Sequence, residues 1–106
     1  MPSFVAFDLE TTGLDPKNDA IIEVAFVRVD ETGVVERWST LVNPGFPLPE
    51  ETVNITGITD EDVKDAPFFS DLRPRILEFL ADDVALLGHN VDFDVSFLRE
   101  YGFDLG

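Results

Sequence analysis

Residues 3–10, SFVAFDLE, decide the fold, and they are followed at residues 11–19 by the breaker-rich segment TTGLDPKND. The Val and Phe of the first segment predict a strand, and the Gly, Pro, Asn and Asp of the second predict a loop. Because strand side chains alternate, one face of this strand is apolar and the other carries two acids. The apolar face consists of Val5, Phe7 and Leu9, and the other face of Ala6, Asp8 and Glu10.

The two acids at the end of this strand, Asp8 and Glu10, are candidate metal ligands. They are close enough to repel each other, and burial would penalise both charges unless a cation neutralises them. Mg²⁺ and Mn²⁺ prefer carboxylate oxygens, so either ion suits the pair. The alternative is that both acids only end an edge strand in solvent, since Asp-x-Glu is a common tripeptide.

A hairpin is predicted next. Residues 20–29, AIIEVAFVRV, and 34–42, VVERWSTLV, are two strand-like runs on either side of a short turn, residues 30–33. After Pro49 the pattern becomes helical in short pieces. Thr59 with Asp62 three residues later fits a helix start.

A longer helix is predicted over residues 71–81, with Pro74 in its first turn, where a missing N–H costs little. Residues 84–88 indicate a buried strand and residues 91–101 a helix. The succession β-β-β-α-β-α predicts an α/β layer fold with a mixed sheet, in which the last strand lies parallel to the first.

In the last helix, one acid shares a face with apolar residues. Asp94 lies on the same side as Phe97, Leu98 and Tyr101, whereas Asp92 lies near the opposite side. We therefore expect Asp94 to point toward the sheet and Asp92 toward water. The alternative for either acid is a capping role in the first helical turn.

His89, Asn90 and Phe93 flank this acid. A lone His between a strand and a helix is often an ordinary loop or cap residue. Phe93 fits the core and a stacking platform equally well, because its spacing does not distinguish the two.

Composition limits the classes of function. The chain has 106 residues, enough for one small domain, and its 44% hydrophobic content supports a packed core. Seven Lys and Arg against 22 Asp and Glu give a net charge of -15, which argues against unaided nucleic-acid binding. Bound divalent cations would reverse that objection, because their positive charge would attract phosphate.

The absence of Cys excludes disulfides and thiol catalysis. No apolar run reaches the roughly 18 residues of a membrane span, so we expect a soluble cytoplasmic protein.

Three segments together resemble a known family. Residues 7–14, FDLETTGL, and residues 89–98, HNVDFDVSFL, resemble the first and second motifs of the DnaQ-like 3′-5′ exonucleases of the DEDD superfamily, the proofreading type of bacterial DNA polymerase III. Residues 56–59, TGIT, resemble a third landmark between them. The resemblance covers the whole chain in order and spacing.

The resemblance implies an RNase H-like fold and hydrolysis with two metal ions, Mg²⁺ or Mn²⁺. It implies that Asp8 bridges the metals, that Glu10 binds the metal that activates water, and that Asp94 supports the other metal. It places the terminal nucleotide against Thr11, Thr12, Gly13 and Leu14, with His89, Asn90 and Phe93 around the scissile end. The implied partner is the 3′ end of single-stranded DNA, with RNA as the alternative, together with a polymerase or helicase subunit or a fused domain.

The sequence also departs from the family pattern. Family members complete the site with His-x4-Asp or Tyr-x3-Asp, and neither follows the second motif here. We therefore expect residues 1–106 to be an N-terminal portion of the exonuclease domain, lacking the usual last strand and helix and having little activity alone. Val91 replaces the usual Ala, and Thr56 stands where many relatives have His. Two other functions stay open: a catalytically incomplete scaffold in a polymerase or helicase assembly, and an acidic mimic of DNA.

Overall fold

The first strand and the hairpin form as predicted. In the computed structural model, which describes residues 4–80, 85–88 and 91–103, β1 is Phe4–Thr11, β2 is Ile21–Asp30 and β3 is Gly33–Leu41. The turn is tight because Oδ1 of Asp30 accepts hydrogen bonds from the backbone N and Oγ1 of Thr32 at 2.7 and 2.6 Å. Gly33 then has a φ of 115°, which favours glycine.

The sheet is mixed, as predicted. Its strand order is β3-β2-β1-β4, where β4 is Ala85–Leu87. β1 pairs antiparallel with β2 and parallel with β4, and α4, Val91–Glu100, follows β4. The short connection from β4 to α4 therefore starts beside the middle of β1, and this position brings α4 near the acids of β1.

Among the described residues, three helices lie between β3 and β4, whereas the predicted order has a single helical step there. They are α1, Glu50–Thr56, α2, Asp60–Val63, and α3, Phe69–Leu80. The predicted start of α2 is confirmed, because Thr59 and Asp62 form a reciprocal capping box. α1 ends at Gly57, whose φ of 77° allows the left-handed turn that stops the helix.

The predicted start of α3 and the place of Pro74 are corrected. The helix begins at Phe69, since the Asp71 carboxylate accepts a hydrogen bond from the backbone N of Phe68 at 3.1 Å and so satisfies an N-terminal donor. Pro74 consequently lies inside the helix, past its first turn.

The main core lies between the sheet and the two longer helices. Phe26 of β2 is fully buried and its ring packs near those of Phe7, Trp38 and Phe79. Buried residues of α3 and α4 complete this cluster, which includes Leu72, Ile76, Phe79, Val95, Phe97 and Leu98. A smaller cluster joins Ile22 to the segment of α1 and α2 through Leu48, Ile58 and Val63. The main cluster packs α3 and α4 against the sheet, and the smaller one packs the segment that carries α1 and α2 against it.

None of the helices in the described residues is long and apolar enough to cross a membrane.

Candidate functional site

The acids of β1 form a negative strip with an acid of β2. In the antiparallel ladder, Asp8 pairs with Ala25 and Glu10 pairs with Glu23. Directly paired residues project from the same side of a sheet, so Asp8, Glu10 and Glu23 share one face. The neighbouring positions Val5, Phe7 and Leu9 are buried in the core. The predicted division of β1 into an apolar and an acidic face is therefore confirmed.

Burial raises the pKa of Glu10 above its ordinary value of 4.5, and the negative charges of Asp8 and then Glu23 raise it further. Asp8 itself is exposed, whereas Glu10 is half-buried. This arrangement stores like-charge repulsion that a cation would relieve.

Replacing Glu10 with Gln is expected to stabilise the metal-free chain at neutral pH. A raised pKa in the folded state means that the folded chain holds this proton to higher pH than the unfolded chain. The free energy of unfolding therefore falls as pH rises from 4.5 through the raised value. Gln has no such titration, so Glu10→Gln should match the unchanged chain near about pH 4 and exceed it near about pH 7.

Urea unfolding in the presence of a chelator measures this difference at each pH. Glu31→Gln, at an exposed acid of the hairpin turn, is the control for the change in net charge. An equal gain at both positions would attribute the effect to overall charge and not to the pairing of Glu10 with Asp8 and Glu23.

The helical face predicted for α4 is confirmed. Asp94 is 3% exposed and lies beside the buried residues Phe97 and Leu98, whereas Asp92 is exposed.

Gly88 explains how Asp94 comes close to β1. A Cβ at Gly88 would lie 3.0 Å from the carbonyl oxygen of Phe7 and 3.8 Å from Oδ2 of Asp94. Gly88 therefore lies close both to the Asp94 carboxylate and to the peptide that precedes Asp8.

The carboxylates suit a divalent cation by their chemistry but do not form a complete cage. Asp8 and Glu10 offer hard oxygen ligands on one face, and their mutual repulsion is what a cation would neutralise. Within residues 4–80, 85–88 and 91–103, however, no group of three or more His, Cys, Asp or Glu residues is close enough to hold a metal ion. The structure therefore brings Asp8 and Glu10 together, and places Asp94 nearby without closing a three-ligand site.

A cleft of about 600 Å³ opens at the end of β1. Its wall contains Glu10 and the whole segment predicted to contact a terminal nucleotide, Thr11, Thr12, Gly13 and Leu14. Phe93 of α4 and Thr56 of α1 also line the cleft. All three segments singled out in the sequence therefore contribute to one cavity.

Four apolar residues line this cleft, and three of them, Leu14, Ile55 and Phe93, lie outside β1. Leu14 is 83% exposed and Ile55 is 75% exposed, although both are large and apolar. The centroid of the Phe93 ring lies 5.0 Å from that of Phe97, and Phe93 also lines the cleft. Phe93 is thus part of both the core and the cavity wall, the two roles that its spacing in the sequence could not distinguish. Exposed apolar side chains around a concave surface are typical of a ligand site.

Sequence reasoning missed five residues of the wall, Asp15, Asp19, Glu51, Thr52 and Ile55. Thr52 is 3% exposed, and its Oγ1 donates a hydrogen bond to the carbonyl oxygen of Thr12 at 2.8 Å. No local signal identifies it, because the contact joins positions 40 residues apart. Ile55 could have been found, since it directly precedes the segment 56–59.

His89 and Asn90, predicted to lie near the scissile end, fall outside the described residues.

Residues 5–106 match the family model RNase_T, described as an exonuclease. The chain is 43% identical over 103 residues to a PolC-type DNA polymerase III of Caldanaerobacter subterraneus, covering 97% of this chain and 7% of the polymerase. It is 38% identical over 99 residues to the epsilon subunit of DNA polymerase III of Aquifex aeolicus, covering 93% of this chain and 48% of the subunit. The chain thus spans less than half the length of these relatives.

Solved structures of Exonuclease I share the fold. One aligns with a TM-score of 0.82 and 26% identity over 93% of this chain and 23% of its own. Another, of E. coli Exonuclease I in complex with a dT13 oligonucleotide, aligns with a TM-score of 0.81, 26% identity and the same coverage. This likeness confirms the RNase H-like exonuclease architecture for the mixed sheet and its helices. With the family model matched over nearly all its residues, the chain belongs to the RNase_T exonuclease family, the DnaQ-like group that its two motifs resemble.

Proposed function

We propose that this chain is part of a metal-dependent 3′-5′ exonuclease that hydrolyses phosphodiester bonds at DNA 3′ ends and releases nucleoside monophosphates in proofreading or repair. The observation that carries the proposal is the single cleft lined by Glu10, the segment 11–14, Thr56 and Phe93. Its volume of about 600 Å³ suits a nucleotide, since small-molecule sites in proteins have volumes of about 300 to 1,000 Å³.

The walls of the cleft suit a terminal nucleotide of any sequence. Leu14, Ile55 and Phe93 offer apolar and aromatic surface to a base, and such contacts tolerate every base because each has a π-face. The Thr11 hydroxyl oxygen, as an acceptor, and the backbone around Gly13 offer polar groups to the sugar. An enzyme that removes mismatched nucleotides needs this combination, because it cannot depend on reading one base.

Asp8 and Glu10 would hold the metal ions, with Asp94 joining from α4. Two such ions, when bound, would lower the pKa of water and stabilise charge on the attacking and leaving oxygens. The chain's own contribution is to hold two carboxylates on one face of a strand and to keep Asp94 near that strand.

Charge makes metal necessary for binding as well as for chemistry. Four acids line the cleft, Glu10, Asp15, Asp19 and Glu51, and the described residues of its wall include no Lys or Arg. With a net charge of -15, the chain has little else to attract a phosphate. Cations on the carboxylates would be the largest local charges and would attract the DNA backbone.

Binding of DNA is therefore expected only with divalent cation, and only through a single-stranded 3′ end. Fluorescence anisotropy with two DNA hairpins, one with a single-stranded 3′ tail and one with a 5′ tail, tests both points. In Mn²⁺ the 3′-tailed hairpin should bind at least about tenfold more tightly than the 5′-tailed one, because only its terminus can enter the cleft. Neither hairpin should bind in chelator.

Equal binding of the two hairpins in Mn²⁺ would contradict the 3′-5′ direction. Tight binding in chelator would instead indicate a local basic surface and contradict the role of metal. An RNA version of the 3′-tailed hairpin, measured in parallel, decides between DNA and RNA as the preferred substrate.

A second candidate function is a catalytically incomplete scaffold within a polymerase or helicase assembly. It is favoured by the incomplete metal cage of the described residues. This alternative predicts neither Mn²⁺ binding at Asp8 nor a preference for 3′ tails. The exonuclease proposal predicts both, even where the 106-residue chain alone releases nucleotides slowly.

A further inference from the structure

The loop after β1 is organised around one residue, Thr12. Its backbone N donates to the carbonyl oxygen of Ala20 at 2.8 Å, and its own carbonyl oxygen accepts from Oγ1 of Thr52 at 2.8 Å. Its hydroxyl accepts from the backbone N of Ala20 at 2.9 Å and donates to Oδ1 of Asp19 at 3.0 Å. The loop is thus closed at its base and tied to α1.

The direction of these hydrogen bonds gives Asp19 a defined task. A Thr hydroxyl has one proton, and the backbone N–H of Ala20 already uses the oxygen as an acceptor. The proton of Thr12 therefore points to Asp19. The other carboxylate oxygen of Asp19, Oδ2, accepts from the backbone N of Asp15 at 2.9 Å. One carboxylate consequently joins the base of the loop to its tip.

Gly13 makes room for that carboxylate. A Cβ at Gly13 would lie 2.6 Å from Cγ and 2.7 Å from Oδ1 of Asp19, closer than real Cβ contacts allow. Asp19 is short and already holds two donors, so it could not move aside without losing them. Position 13 of the first motif therefore requires glycine because the Asp19 carboxylate occupies the space that a Cβ would fill.

We infer that Asp19 is a positioning residue for the terminal nucleotide: its carboxylate holds the segment from Thr12 to Asp15, and with it the exposed side chain of Leu14, as a preformed wall of the cleft. The inference rests on the proposed function, since it assumes that a nucleotide occupies this cleft. Preformed walls strengthen binding because less conformational entropy is lost when the ligand arrives.

The test is a double-mutant cycle on the chain with thymidine monophosphate as the probe, titrated in Mn²⁺. Asp19→Ala should weaken binding by about tenfold, as expected when a charge-assisted hydrogen-bond pair is lost. Gly13→Ala should weaken binding to a similar extent, because its methyl group displaces the same carboxylate. The double variant should be no weaker than either single variant, since both act through one contact.

Asp30→Ala is the matched control. Asp30 also closes a turn by accepting from a backbone N and a Thr hydroxyl, and its removal changes the net charge equally, but it lies in the β2–β3 turn and not in the wall of the cleft. Nucleotide binding by this variant should stay within about twofold of the unchanged chain.

Two further measurements separate positioning from folding. Without nucleotide, the amides of Thr12 and Ala20 should exchange faster in Asp19→Ala, while the melting temperature changes no more than in Asp30→Ala. If Asp19→Ala fails to fold, Asp19→Asn replaces it. Asn keeps one acceptor oxygen for the two donors, so binding should fall between the unchanged chain and Gly13→Ala.

The possible results separate the positioning role of Asp19 from the proposed exonuclease function. If the unchanged chain binds no thymidine monophosphate in Mn²⁺, the proposed function is overturned. If it binds, and the Asp19 variants bind as Asp30→Ala does, only the positioning role is overturned. Additive losses in the double variant would also overturn it, since Gly13 and Asp19 would then act separately.

Discussion

Replacing Asp8 with Asn is expected to lower the affinity for Mn²⁺ by at least about tenfold, whereas replacing Asp92 with Asn should leave it within about twofold. Asp8 shares a sheet face with Glu10, whose pKa is raised by burial and raised further by the negative charge of Asp8. Asn keeps one oxygen but loses the charge that a divalent cation requires. Asp92 lies on the exposed side of α4, so its replacement changes the net charge equally without touching the site.

Calorimetric titration with Mn²⁺ measures both variants. Asp94→Asn belongs in the same series, because Asp94 is buried and lies close to Gly88 beside β1. This substitution should weaken Mn²⁺ binding if Asp94 becomes a ligand when the ion binds. Equal losses at Asp8 and Asp92 would contradict the account, since they would mean that the ion responds to net charge and not to the arrangement of the β1 acids.

Replacing Phe26 with Ala is expected to lower the free energy of unfolding by about 3 to 5 kcal/mol. The ring of Phe26 is 0% exposed, and its centroid lies 5.4 Å from that of Phe79 and 5.8 Å from that of Phe7. Truncation removes buried apolar surface and leaves a cavity between the sheet and α3. Because small domains have total stabilities of only about 5 to 15 kcal/mol, this loss would unfold much of the protein on mild heating.

Urea unfolding gives the change as a shift in midpoint at constant slope. Leu77→Ala, on α3 where the side chain is 46% exposed, is the control and should cost less than about 1 kcal/mol. A similar small cost at Phe26 would show that the aromatic cluster is loosely packed.

Local signals predicted most of the fold. Period-two alternation gave the buried and acidic faces of β1, and turn chemistry at residues 30–33 gave the hairpin. Helical periodicity separated Asp94 from Asp92 correctly. These features succeed because each is determined by neighbours a few residues away. The start of α3 was misplaced by two residues because the contribution of Asp71 to its N-terminal hydrogen bonds was not recognised.

The wall of the cleft was only partly predictable, because its remaining members depend on contacts between distant segments. Thr52 reaches Thr12 only after the segment carrying α1 has packed beside the loop that follows β1. Asp19 supports Gly13 only after the loop has folded back onto itself. The resemblance supplied the segment 11–14, but no periodicity or spacing indicates which neighbours hold that segment in place.

We expect the acids of β1 to bind a divalent cation at the mouth of the cleft, and Mn²⁺-induced broadening of backbone NMR signals tests this binding. Mn²⁺ broadens the signals of nuclei close to it. Small additions of Mn²⁺ should first broaden the amides around Asp8, Glu10 and Asp94, while the amides around the exposed acids of α2, residues 60–62, stay sharp. Broadening that begins at α2, or that spreads evenly over the acidic surface, would contradict a cation site on β1.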